Sequence, residues 1–121
     1  MRTRPDTLST IDLPSGRVTV DGHGYLTDPD QWSRDFAEHV ARNEGLELTP
    51  RHWEVIDFMR AWLDEHGIAA DARFVLKFLA ADGNLGKHDA KMAMFDLFPY
   101  GYVKQACKIA GMKQPRAWST G

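Results

Sequence analysis

Cys107 is the chain's one thiol, and it stands in KQACKIAG with Lys104 three residues before it and Lys108 beside it. A thiol attacks as its thiolate, and with an ordinary pKa of about 8.5 only a small fraction is ionised at neutral pH. The two lysines favour the thiolate. The expected position near the C-terminal end of a short helix opposes it through the helix dipole. Because these effects are of similar size, two readings stand side by side. In one, Cys107 accepts sulfur by thiol exchange; in the other, it is a small apolar residue packed on a helix face.

Other constellations that support chemistry are not found. His23, His39, His52, His66 and His88 are scattered, and no pair has the three- to five-residue spacing that sets two imidazoles on one helical face, so neither a metal site nor a cofactor is expected. GxGxxG and GxxxxGK[ST] are both missing, and Gly22-His23-Gly24 sits in an expected hairpin turn with no helix behind it. The carboxylates Glu54, Asp57, Asp64 and Glu65 share a helix with a full apolar face and read as solvated surface. Trp32, Trp53, Trp62, Phe58 and Phe74 read as core or core-edge aromatics. Trp118 is different, because it stands in an irregular tail where an aromatic either anchors the tail or meets a partner.

Charge sets that tail apart. Up to residue 96 the chain holds 11 Lys or Arg against all 17 Asp and Glu, whereas beyond it Lys104, Lys108, Lys113 and Arg116 stand with no acid. A basic arm on an acidic body either folds back or seeks an anionic partner. Lys104, Lys108, Lys113, Arg116 and Trp118 are therefore the candidate partner-binding residues.

The elements that must position these residues follow from periodicity. Residues 10–26 alternate short extended stretches with turn formers, Pro14-Ser15-Gly16 and Asp21-Gly22-His23-Gly24, and predict a small antiparallel meander. Asp28-Pro29-Asp30 is a helix-starting cluster, followed by Trp32, Phe36 and Val40 at four-residue spacing and Gly45 as a stop. Thr49-Pro50 starts the next helix, with Trp53, Ile56, Met59 and Leu63 as its stripe before Gly67. A third helix begins near Asp71 and stops at Gly83, and a fourth runs from Lys87 or His88 to Phe98. The last spans Tyr102 to Ala110 and halts at Gly111. The fold class is α+β: a short N-terminal antiparallel meander on a bundle of about five helices, with an extended C-terminal arm. Residues 1–9 read as a lead-in, 10–111 as a single domain and 112–121 as the arm.

At 121 residues the chain has the size of one domain, and 43% hydrophobic with 26% charged residues is ordinary for a globular protein. No apolar run approaches the roughly 20 residues of a membrane span. MRTRPDTLST lacks an apolar stretch behind its arginines, so a signal peptide is not expected. With a single cysteine, this favours a reducing cytoplasm. The helices flanking Gly67-Ile68-Ala69-Ala70 are spaced like a DNA-reading helix-turn-helix, which makes a DNA-binding regulator the alternative function. The second helix, however, sets only Arg73 and Lys77 against Asp71 and Asp82, too few cations for a phosphate backbone.

In order along the chain, GYL, a following tryptophan, EGLELTPRHWEVIDFMRAW, DLFPYG and KQACKIAGM resemble the DsrC/TusE family of sulfur-relay proteins, from about Asp21 to Met112. The resemblance implies a small α+β domain with a mobile C-terminal arm, acting as a cytoplasmic carrier. Such a carrier takes sulfur from a sulfurtransferase as a cysteine persulfide or serves a sulfite reductase complex as a thiol co-substrate. In that family the carrier cysteine ends the arm, in a KPTGC-like context, and some members hold a second cysteine eleven residues upstream. Cys107 matches the upstream one. Eleven residues on stands Trp118, and the arm reads KQPRAWSTG with no thiol. The glycine-proline that usually follows the FPxG turn is Gly101-Tyr102 here. An intramolecular disulfide is thereby ruled out, since it needs two sulfurs in one chain. Two roles are left: sulfur acceptance on Cys107 itself, or docking to relay partners without the chemistry.

Overall fold

The computed structural model describes residues 8–113. Its longest helix starts where the sequence offers a cap followed by proline. Helix α2, Pro50–His66, is closed at its start by a reciprocal pair: the Thr49 hydroxyl accepts from the His52 amide, and the His52 ring accepts from the Thr49 amide at 3.0 Å. This is a capping box with histidine in the usual Glu or Gln position. Gly67, at φ 75°, ends the helix in the left-handed conformation that glycine adopts without steric cost.

Two short strands precede the helices. Strands β1 (Ser9–Leu13) and β2 (Gly16–Val20) pair antiparallel, Ser9 with Val20 through Leu13 with Gly16, across the tight turn Pro14-Ser15. Alternation in β2 turns Val18 and Val20 inward. A third strand does not form. Instead, the Asp21 carboxylate accepts from the amides of His23 and Tyr25, closing a turn that leaves only a single bridge between Val20 and Leu26. The meander is thus a hairpin with one added bridge.

Helix α1, Arg34–Asn43, begins later than its periodicity predicts. Asp28-Pro29-Asp30 opens a separate 3-10 turn, Pro29–Gln31, and Ser33 then caps α1 by accepting from the Phe36 amide. Trp32 lies in the link between them despite its helical spacing from Phe36. Helix α3, Ala72–Gly83, is capped by Asp71 and ends on Asn84 at φ 52°, so the left-handed stop is Asn84 and not Gly83. Helix α4, Lys87–Leu97, ends before Phe98-Pro99. The expected last helix is divided. Tyr102–Ala106 forms a wide π turn in which the Cys107 amide reaches back to the Tyr102 carbonyl, and only Cys107–Ile109, α5, is α-helical.

One core joins these elements. Phe36 of α1, Ile56 and Met59 of α2, Leu79 of α3, Phe98 and Ile109 are sealed from solvent, each contributing about 1.5–3 kcal/mol of burial. An aromatic seam ties α2 to α3: Phe58 stacks on Phe78 at 4.6 Å and Trp62 on Phe74 at 4.4 Å. The architecture is α+β, a two-stranded sheet beside five helices. Among the described residues no helix is long and apolar enough to cross a membrane.

Candidate functional site

The π turn delivers Cys107 into the core. Its side chain is 1% exposed, behind Tyr102, whose hydroxyl donates to the Ala70 carbonyl. Burial pushes the thiol up to about 12, and the nearby Tyr102 hydroxyl offsets only part of this. Near pH 7 such a thiol stays protonated. An acceptor must expose its sulfur to a donor, and in this fold Cys107 does not.

The neighbouring lysines are divided between two environments. Lys104 is exposed. Lys108 turns to Glu44, the residue that ends α1, with its Nζ 3.2 Å from the carboxylate and both side chains largely buried. The other oxygen of Glu44 accepts from Gln105 at 2.9 Å, and Gln105 in turn accepts from the Tyr100 amide at 3.1 Å. Gln105 is buried, so this chain satisfies a polar group that would otherwise cost about 1–3 kcal/mol. Tyr25 completes the cluster, donating to the Val103 carbonyl at 2.9 Å with Lys108 above its ring. Burial raises the Tyr25 phenol to about 12, which keeps its proton in place for that bond.

A second set of contacts fixes how the chain leaves the domain. The Met112 amide bonds the Cys107 carbonyl at 3.0 Å and the Gly111 amide bonds Lys108 at 3.2 Å, a Schellman closure with Gly111 at φ 80°. The Trp32 indole donates to Ile109 at 2.9 Å. Arg60 donates to Ala110 at 3.1 Å and to Pro29 at 3.0 Å while its guanidinium sits over the Trp32 ring. Ile109 and Ala110 are thus clamped between α2 and the turn before α1. Lys113, just beyond the clamp, is exposed; Arg116 and Trp118 lie outside the described residues.

Glu44, Gln105, Tyr25, Trp32 and Arg60 were not among the sequence candidates. Nothing local marks them, since each has a partner 50 to 78 residues away along the chain. The arginines of the helix-turn-helix reading are engaged within the protein: Arg73 pairs with Asp71, and Arg51 with Glu54 and Asp82. His52 is buried, and its ring is bonded to the Leu97 carbonyl at 2.6 Å. Among the described residues no group of three or more His, Cys, Asp or Glu converges as metal ligands would.

Comparison with known proteins adds to this geometry. The profile of the family described as DsrC like protein matches residues 14–117. Sulfurtransferase TusE of Sodalis glossinidius is 38% identical over 105 residues, 87% of this chain and 96% of the relative. DsrC of Allochromatium vinosum superposes with a TM-score of 0.78 at 34% identity, covering 92% of this chain and 98% of that one. The oxidized gamma-subunit of dissimilatory sulfite reductase, DsrC, from Archaeoglobus fulgidus gives 0.76 at 26% identity, covering 90% and 98%.

Proposed function

The chain belongs to the DsrC-like protein family, and from that premise we propose that it is a sulfur-relay-related protein that docks to sulfur-trafficking partners without carrying sulfur on its own thiol. The partners are a sulfurtransferase or a sulfite reductase complex, met in the cytoplasm. The docking element runs from Lys104 to Gly121, with Lys104, Lys113, Arg116 and Trp118 as its contacts; Lys108 belongs instead to the support of that element. Such a protein holds the place of a carrier on the relay and so regulates access to it.

One observation carries the choice between acceptor and docking protein: the only sulfhydryl is sealed in the core. Acceptance would require the Cys107 thiolate to attack the outer sulfur of a donor persulfide, forming a new S–S bond as the donor leaves as its own thiolate. Both the scarcity of thiolate and the absence of an approach path oppose that step.

The test has two arms. Native protein is incubated with a persulfide-loaded sulfurtransferase and weighed intact, and the same sulfurtransferase is offered a carrier of the TusE type with and without this protein. The expected result is no added sulfur together with slowed transfer to the carrier. A gain of one sulfur that disappears in Cys107→Ala would restore the acceptor role. Unchanged transfer to the carrier would remove the docking role.

A further inference from the structure

Helices α3 and α4 lie side by side and leave a groove between them, away from the buried thiol. Two cavities of about 360 Å³ each share Arg73 and Leu76 and so form one trough along the helix pair. Helical periodicity explains its composition. On α3, positions 73, 76, 77 and 80 fall on one stripe, and on α4, positions 87, 90, 91, 94 and 95 fall on the facing one. The floor is apolar, built from Leu76, Ala80, Ala90 and the partly exposed ring of Phe95. Met92, half exposed on the same helix, extends the apolar surface beyond the rim.

The rim is cationic. Arg73, Lys77, Lys87 and Lys91 line the trough, with Asp71 as the one carboxylate among its lining residues, and Arg73 already engages that carboxylate. Among the described residues Lys77, Lys87 and Lys91 enter no ion pair. A local excess of cations stands out on a chain whose net charge is -2.

We propose that the α3–α4 groove is a docking site for an acidic amphipathic helix of another protein, apolar face on Leu76 and Phe95 and carboxylates against the four cations. Charge complementarity names the occupant. A segment rich in Asp and Glu is drawn to the rim, whereas this chain's own arm, with Lys113 and Arg116, carries the same sign as the groove. The apolar floor separates a protein helix from nucleic acid, because a phosphate backbone has no use for Leu76, Ala80, Ala90 and Phe95. Helix α3, at roughly 1.5 Å per residue, gives the trough a length of about three turns of a partner helix. The inference does not rest on the relay reading, since it uses neither Cys107 nor the arm.

Fluorescence anisotropy on the full chain tests it with a labelled synthetic helix of about five turns, leucine on one face and glutamate elsewhere. The comparison probes replace every glutamate by lysine or every leucine by serine, and a duplex of about 20 base pairs stands for nucleic acid. The acidic amphipathic peptide is expected to bind. Lys87→Glu with Lys91→Glu, and separately Phe95→Ser, are expected to weaken it by about tenfold or more. All three side chains are exposed, and thermal melts of the variants verify that the fold is kept. No binding at low salt, equal binding by the variants, equal binding of the serine probe, or tighter binding of the duplex through the same residues would overturn the proposal.

Discussion

Gly111 lies against the face of Trp32 so closely that a β-carbon on it would fall 2.4 Å from the indole Cδ1 and 2.7 Å from Cγ. Its φ of 80° already excludes most side chains, and the contact leaves no room for one. Two independent reasons therefore demand glycine at position 111. Gly111→Ala is expected to cost about 2 kcal/mol or more, because the left-handed backbone and the clash add. A fall in urea midpoint with unchanged slope would register it; an unchanged midpoint would mean that Trp32 moves aside freely.

The buried thiol gives a second expectation. An electrophilic thiol reagent should label Cys107 far more slowly in the native protein than in denaturant, at a native rate set by opening of the fold. The pH dependence has a definite sign. With the folded pKa near 12, well above that of an ordinary thiol, the protonated form is favoured by folding, so its contribution is intact below the ordinary thiol pKa and is lost as pH rises toward 12. Cys107→Ala removes this alkaline loss. Its stability profile between pH 8 and 10.5, set against that of the parent, isolates the effect. Fast native labelling at pH 7 would contradict the burial.

His52 governs the acid side. Burial lowers its pKa, outweighing the opposing bond to Leu97. Its ring accepts from the Thr49 amide, which only a neutral imidazole can do while the other nitrogen donates to Leu97. Since the folded pKa lies below the unfolded 6.5, the neutral ring stabilises the fold above pH 6.5, and that contribution declines as pH falls through 6.5. His52→Gln, which keeps a side chain usual at this capping-box position, should flatten the slope of unfolding free energy between pH 7 and 5 relative to the parent. Equal slopes in the two proteins would place the acid sensitivity elsewhere.

Much of the fold is legible because its signals are local. Thr49-Pro50 and Gly67 bracket α2, and Asp71 starts α3, since caps and left-handed stops act within one turn. Trp32 misleads for the same reason. Its spacing from Phe36 matches a helix, but the Ser33 hydroxyl captures the Phe36 amide and starts the helix after it. Local charge leaves Cys107 balanced between thiol and thiolate, and its burial behind Tyr102 comes from packing that the spacing of the lysines does not encode. By sequence Lys108 looks like any other cation of this stretch, because its partner Glu44 stands 64 residues away.

The two lysines flanking Cys107 should therefore separate stability from docking. Lys108 and Glu44 are an ion pair with side-chain exposures of 21% and 17%, and Glu44 also holds buried Gln105. Removing Glu44 leaves an ammonium and an amide without their acceptor, so Glu44→Ala should cost about 1–3 kcal/mol, more than Lys108→Met, whose loss leaves the carboxylate still bonded to Gln105. A double-mutant cycle of the two should give a coupling of about 1 kcal/mol. Lys104, exposed and in no ion pair among the described residues, should behave in the opposite way. Lys104→Glu leaves the urea midpoint unchanged and weakens competition with a TusE-type carrier for its sulfurtransferase. If Lys108→Met reduced competition as strongly as Lys104→Glu at full stability, Lys108 would have to leave Glu44 on docking, and the division of labour drawn from the fold would be wrong.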